Sequence, residues 1–360
     1  MDAIDVALVK IDGKSLELIE YEEYPIADDI RVAIRNLSAT STIEEVSKYD
    51  FILGQLFASA ILELIEQSNF SHEKIQAVGS HGQTILHLPD SEQARTLQIG
   101  NANIIANKTQ IDTVSDFRTM DMIAGGQGAP LASVLHAAKF RSENIDRVIL
   151  NLGGVANITI LPADTDLDVI GFDSGPGNGL LDDWSRRHNN TNMDKNGNWA
   201  NIGIIEESLL VNLLNDPYFT QVCPKSTGRD YFNLNWLDKY LYSYHKKTNL
   251  EDIQTTLLSL TVTSISDAIH KYANSTEQIY ICGGGAHNPV LVRQLQEQLP
   301  SIDITTTEKL GMNPDAVEAI TFAWLAKQRI ENKPGNLPAV TGASKACVLG
   351  SVYLPSALPS

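Results

Sequence analysis

The chain has 360 residues, 43% of them hydrophobic, and 27 Lys and Arg against 44 Asp and Glu give a net charge of −17. That length exceeds what one core usually fills, so two lobes are expected. An acidic surface repels phosphate backbones, which argues against nucleic acid as a partner but leaves local donors able to hold a small anion.

In chain order, residues 4–10 and 15–20 read as two strands around the turn Asp12-Gly13. Ser41-Thr42-Ile43-Glu44 reads as a capping box that opens a long amphipathic helix to about Gln67. Short strands are expected at 75–79, 96–99 and 111–115, and a helix at 129–140. A new unit begins near Ile145, with strands at 147–152, 155–161 and 167–172 and helices near 177–190, 200–215 and 251–273. Strand 278–282, helix 287–299, strand 302–306 and helix 314–328 follow, an alternation that means α/β layers. The division expected is an N-terminal lobe over 1–143, a C-terminal lobe over 144–330 and a tail over 331–360 that packs back on the body. One internal echo supports duplication: Asp2 to Val9 aligns with Gly154 to Leu161, each resembling the second arm of a hairpin.

Cys223, Cys282 and Cys347 lie far apart with no CxxC or Cys/His cluster, so neither a zinc site nor a disulfide framework is indicated, and a reducing cytoplasm fits. Two aspartates precede the first lysine, unlike a signal peptide, and no apolar run approaches the roughly 20 residues of a bilayer span. A soluble cytoplasmic protein with no membrane partner is expected.

The strongest chemical signal is Gly171-Phe172-Asp173-Ser174-Gly175-Pro176-Gly177-Asn178. A carboxylate at a strand's carboxyl end, on a glycine-rich turn whose N–H groups face a ligand, suits a general base. The competing reading is a cap for the next helix; three glycines and a proline within seven residues favour chemistry. Leu152-Gly153-Gly154-Val155-Ala156-Asn157 reads equally as a phosphate-wrapping hairpin or an ordinary turn. Gly283-Gly284-Gly285 stands between a buried strand and a helix, which suits a nucleotide or phosphate, and its spacing is not the dinucleotide pattern, which disfavours NAD. Ser80-His81-Gly82-Gln83-Thr84, Asp116-Phe117-Arg118 and Gly125-Gly126-Gln127-Gly128-Ala129-Pro130 sit past strands or at a helix start, where side chains can converge. Arg118 offers a forked donor for a carboxylate, whereas His81 alone reads as structural. Lys225 to Asp230 reads as a cationic site or a solvated loop. Glu318, near the start of its helix, reads as a ligand or as a partner of the helix dipole.

In order along the chain, MDAIDVALV, SHGQTILH, TLQIGN, DFR, GGQGAPL, LNLGGVANIT, FDSGPGN, DPYFTQVCPKSTGRDYFN, CGGGAHNP, EAITFAWLA and PGNLPAVTGAS resemble the anhydro-N-acetylmuramic acid kinases. The resemblance implies the α/β, two-lobed actin-like (ribonuclease-H-like) fold with duplicated cores, ATP and Mg²⁺ in an interlobe cleft, and a homodimer. It implies hydrolysis of the 1,6-anhydro ring with transfer of the γ-phosphate to O6, giving N-acetylmuramic acid 6-phosphate in cell-wall recycling. Asp173 then matches the base acting on water. Gln83, Arg118, Gly126, Gln127 and Glu318 match sugar-site residues. Met1, Asp2, Ala3, Ile4, Asp5, Gly153, Gly154, Asn157, Gly283, Gly284 and Gly285 match nucleotide contacts, with Asp2 a candidate near Mg²⁺. Family members carry a strand and a Gly-Thr-Ser turn ahead of Met1-Asp2, so a start codon assigned too late is expected. The other readings are another actin-like sugar kinase or phosphatase, a nucleotide-gated assembly protein, and an N-terminally truncated, weakly active homologue.

Overall fold

The computed structural model describes residues 3–13, 15–89, 91–244, 246 and 248–356. A hairpin, β1 (Ala3–Asp12) and β2 (Ser15–Pro25), leads to helices α1 (Asp28–Arg35) and α2 (Ile43–Ser68). Then come β3 (Val78–Gly79), the hairpin β4 (Gln83–Leu88) and β5 (Arg95–Ile99), α3 (Ala102–Thr109), β6 (Thr113–Ser115), α4 (Thr119–Ile123) and α5 (Ala132–Phe140). Strands β7 (Arg147–Leu152), β8 (Val155–Leu161) and β9 (Ile170–Pro176) precede helices α6 (Gly179–Asn189), α7 (Glu207–Leu214), α8 (Pro217–Thr220), α9 (Leu234–Ser243) and α10 (Leu250–Tyr272). The chain closes with β10 (Gln278–Cys282), α11 (Pro289–Gln298), β11 (Asp303–Thr306), α12 (Val317–Ile330), α13 (Pro338–Thr341) and β12 (Ser351–Tyr353).

Two compact units divide the chain: residues 1–135 with 316–360, and residues 136–315. The boundary over 144–330 is therefore corrected at its far end. Helix α12 belongs to the first unit, because it packs on β1, β3 and β6, and the tail falls in that unit too.

In the second unit the sheet order is β11-β10-β7-β8-β9. Strand β10 runs parallel to β7 and β11, while β7–β8 and β8–β9 are antiparallel. Leu150, Leu152, Ile158, Phe172, Leu258 and Ile281 share its core. Strand β8 is buried at every position after Val155, as a strand covered on both faces must be.

The first unit repeats the plan. Its hairpin β1–β2 is antiparallel like β8–β9, the long α2 packs on it as α10 packs on β8 and β9, and β3 then pairs in parallel with β6 as β10 does with β11. The echo between Asp2–Val9 and Gly154–Leu161 thus coincides with corresponding strands. Strand β8 has a second partner in β7; among the described residues β1 pairs with β2 alone. The α/β class and the duplicated core expected from sequence are both present.

Several local readings change. The capping box is Thr42 with Glu45, one residue on: Glu45 N–H donates to Thr42 Oγ1 (3.2 Å) and Thr42 N–H to Glu45 Oε2 (2.9 Å). The strand ending at 172 instead runs through Asp173 to Pro176. Gln83 and Thr84 start a hairpin rather than a loop. Among the described residues α2 alone is long and apolar enough to cross a membrane. It buries Leu53, Ala58 and Leu64 and packs on β1, β2, β5 and α3, as a core helix does.

His136 on α5 is fully buried, with Nδ1 2.9 Å from Thr159 Oγ1. Burial pushes its pKa down to about 3. The native imidazole is therefore neutral where an unfolded one, titrating near 6.5, takes a proton. Its contribution is whole above about pH 6.5 and is lost as pH falls from there toward 3. Unfolding free energy should drop between pH 7 and pH 5, and His136→Leu should reduce that drop by ~1–2 kcal/mol in urea melts at the two pH values.

Candidate functional site

Three glycine-rich segments of the second unit meet at the β7–β8 turn. The N–H groups of Gly177 and Gly179 donate to Gly154 O (3.1 Å each) and that of Asn178 to Gly153 O (2.8 Å). A Cβ on Gly177 would lie 2.4 Å from Gly153 O, and one on Gly179 2.7 Å from Gly154 O, so no other residue fits without movement. The donors expected to face a ligand at Gly177 and Asn178 are therefore spent on the hairpin. Gly283, at φ +77°, would put a Cβ 2.5 Å from Asn151 Oδ1, and Gly285 would put one 2.5 Å from Leu152 Cβ. The Gly283–Gly285 turn thus lies against the same hairpin, its Gly283 N–H bonded to Pro314 O at 2.9 Å. Beside it a cavity of about 480 Å³ is lined by His287, Glu308, Met312, Pro314 and Asp315. His287 Nε2 stands 2.8 Å from Asp315 Oδ2.

Asp173 faces Asn157 across the β8–β9 ladder. Asn157 Nδ2 donates to Asp173 Oδ1 (2.8 Å), and the Thr227 N–H donates to Asp173 Oδ2 (2.8 Å). The carboxylate is buried and each oxygen is held by a neutral donor. Its backbone is fixed as well, by Asp173 N–H to Lys225 O (3.1 Å) and by Tyr218 Oη to Asp173 O (2.7 Å). Tyr218 belongs to an aromatic cluster organised on the buried Asp216, which accepts from the Tyr218 N–H, Tyr231 Oη, Trp236 Nε1 and Tyr240 Oη. Lys225 is buried, its Nζ 3.2 Å from Tyr218 O and 4.5 Å from the centre of that ring; burial pushes its pKa down. Two buried oxygens here, Asn157 Oδ1 and Thr227 Oγ1, have no hydrogen-bond partner among the described residues. The structure therefore groups Gly153, Gly154, Asn157, Asp173 and Gly283–Gly285, and bonds the Asn157 amide to the carboxylate. Thr227, Tyr218 and Asp216 carried no role in the sequence reading; the KSTG segment was the signal for Thr227.

The sugar-site candidates fall in the first unit. Arg118 Nε donates to His81 Nε2 (3.0 Å), and its Nη1 donates to Gly128 O (2.7 Å). The His81 ring stacks on Phe322 of α12 at 4.5 Å with an interplanar angle of 21°. Burial first, and the Arg118 charge second, hold the imidazole pKa well below its usual value. Glu318 is exposed and lies one turn before Phe322 on α12, hence on the helix face toward His81. Gln83 opens β4 two residues after His81, its Nε2 bonded to Thr84 O at 3.0 Å.

The loop carrying Gly126 and Gln127 is fastened by Asp121, a residue without a role in the sequence reading. Its fully buried carboxylate accepts from Gly128 N–H (2.8 Å), Asn336 Nδ2 (2.6 Å) and Thr341 Oγ1 (2.7 Å). Gly126 N–H donates to Asp121 O (2.9 Å) and Gln127 N–H to Thr341 O (2.8 Å). A Cβ on Gly126 would lie 2.2 Å from Asp121 Oδ2.

Of the N-terminal candidates, Met1 and Asp2 lie outside the described residues. Ala3 begins β1, Ile4 is buried in a small core with Ile26 and Ala60, and Asp5 Oδ1 accepts from Tyr21 Oη at 3.1 Å. The Ile4 side chain is thus turned to packing. Among the described residues no cluster of three His, Cys, Asp or Glu side chains could hold a metal ion.

A family profile described as anhydro-N-acetylmuramic acid kinase matches residues 1–355. Relatives of that description are similar over nearly the whole chain. The protein of Coxiella burnetii is 47% identical over 98% of this chain and 94% of its own. That of Photobacterium profundum is 44% identical over 98% and 96%, and that of Vibrio cholerae is 41% identical over 99% and 96%.

Asp121→Ala leaves buried donors on Gly128, Asn336 and Thr341 without their acceptor. It should cost ~3 kcal/mol or more of unfolding free energy in a denaturant melt, whereas Glu92→Ala, at an exposed position, should change little.

Proposed function

Since the chain belongs to the anhydro-N-acetylmuramic acid kinase family, we propose that it is an ATP-dependent sugar kinase that opens 1,6-anhydro-N-acetylmuramic acid and phosphorylates O6. The observation that carries the reading is the Asp173 carboxylate, held on one oxygen by Asn157 and on the other by Thr227, beside the joined glycine turns. The two units built on one plan support the actin-like fold of such kinases.

In this mechanism Asp173 takes a proton from water as the water oxygen bonds to the anomeric carbon. The bond from that carbon to O6 breaks, and O6 then takes the γ-phosphoryl group from ATP, leaving ADP. Asn157 and Thr227 fix the plane of the carboxylate, so little reorganisation remains at the moment of proton transfer. Magnesium would come with the nucleotide, whose phosphates would supply ligands to it, and Asp2 is the carboxylate proposed beside it. The turns at Gly153–Gly154 and Gly283–Gly285 hold the phosphates, and the cavity lined by His287 and Met312 takes the nucleoside. Arg118, Gln83, Gly126, Gln127 and Glu318 hold the sugar, Arg118 meeting its lactyl carboxylate. The reaction belongs to cell-wall sugar recycling, and Cys223, Cys282 and Cys347, none of them in a disulfide, fit a cytoplasmic site.

Asp173→Asn is expected to lower kcat on the anhydro sugar by about 10²–10⁴-fold. Its ATP affinity, measured by calorimetry, should stay within twofold. Undiminished turnover would remove Asp173 as the base. ATP consumption with hydrated but not anhydro sugar would turn the reading to an ordinary hexose kinase.

A further inference from the structure

Arg118 serves a ligand best if its guanidinium plane is fixed beforehand, because a long arginine side chain otherwise loses its rotamer freedom on binding. Two bonds on different nitrogens fix that plane here, and one of them is not backbone: Arg118 Nε to His81 Nε2, 3.0 Å. Arginine stays protonated and can only donate, so the imidazole must accept through a bare Nε2. The surroundings of His81 favour this. Its flat face lies on Phe322, Phe322 packs in turn on Phe117 one residue before Arg118, and the half-buried ring stands beside the Arg118 charge, where a second positive charge would be costly. The close approach that seats the ring is itself built in. A Cβ on Gly79 would fall 2.1 Å from Phe322 O, and one on Gly82, at φ +75°, 2.7 Å from Ile99 O. The segment on either side of His81 is thus pressed against α12 and β5 with glycine at the tight points.

We propose that His81 is a positioning residue for the sugar site: its unprotonated Nε2, braced by the Phe322 ring, aims the Arg118 guanidinium at the substrate. This deepens the proposed function and rests on the reading that Arg118 touches the sugar. Such a role separates the two substrates. Losing the acceptor lets the guanidinium swing, which weakens sugar binding and leaves the nucleotide-binding residues of the other unit as they were.

The experiment is a double-mutant cycle on the full chain, with KM for 1,6-anhydro-N-acetylmuramic acid and for ATP measured separately. His81→Phe keeps a ring on Phe322 but removes the acceptor. It should raise the sugar KM at least tenfold, with the ATP KM within twofold and the melting temperature little changed. His81→Gln, which restores an acceptor oxygen, should recover the sugar KM to within threefold of the parent. In an Arg118→Ala background His81→Phe should add less than twofold. An unchanged sugar KM in His81→Phe, while Arg118→Ala raises it, overturns the positioning role and leaves Arg118 in the site. Equal effects of His81→Phe in both backgrounds, or equal increases in the two KM values, overturn it as well. An Arg118→Ala enzyme with parental kinetics instead sinks the underlying reading. Should His81→Phe not fold, Phe322→Leu removes only the brace; it should raise the sugar KM a few-fold with ATP unaffected, and no change would count against the proposal.

Discussion

Two backbone carbonyls, those of Gly153 and Gly154, organise the candidate site of the second unit. By accepting from Gly177, Asn178 and Gly179 they tie the β7–β8 turn to the end of β9 and the start of α6. That contact sets the register in which Asn157 opposes Asp173, across an irregularity at Ala156/Asn157. In a strand, a slip of one residue turns every side chain to the other face. The glycines at 177 and 179 therefore act on the carboxylate at a distance: with a Cβ at either, the strands would part and Asp173 would lose its alignment with Asn157.

What sequence made legible was local. Glycine and aspartate punctuation at 171–178, 152–157 and 283–285 located the turns, because a tight approach or a positive φ demands glycine at its own position. The echo, over its described residues, fell on strands β1 and β8, which hold corresponding places in the two units. Long-range partners were not legible. Thr227 reaches Asp173 across 54 residues, and Asn336 and Thr341 reach Asp121 across 215 and 220. A hydrogen bond of this kind constrains one donor and one acceptor but leaves no periodicity between them. The unit boundary escaped for the same reason, because α12 returns to β1 and β3 from the far end of the chain.

The sequence did show that Gly177 and Asn178 bring N–H groups to a strand end, and it suggested that these face a ligand. The structure spends them on carbonyls instead. The inference failed at one step: a glycine-rich turn guarantees exposed donors only where no second turn packs against it. Here the turns pack on one another, so Gly177 and Gly179 serve close approach more than they serve donation to a ligand.

The two charges proposed for the site, Arg118 and Asp173, are held in a similar way. Arg118 is gripped by an imidazole nitrogen and a peptide carbonyl, and Asp173 by an amide side chain and a peptide N–H. These four groups are neutral, and a neutral group orients a charge without cancelling it. Arg187 with Asp238 and Arg229 with Asp183 are pairs of opposite charge instead. A carboxylate that must attract a proton loses basicity beside a bonded cation, and a guanidinium that must bind an anion is weakened by a bonded carboxylate. Lys225 shows the same restraint: it is buried near Asp173, yet its ammonium is directed to the Tyr218 carbonyl and ring. Neutral partners are how a scaffold can hold a charge rigid and still leave its field for the substrate.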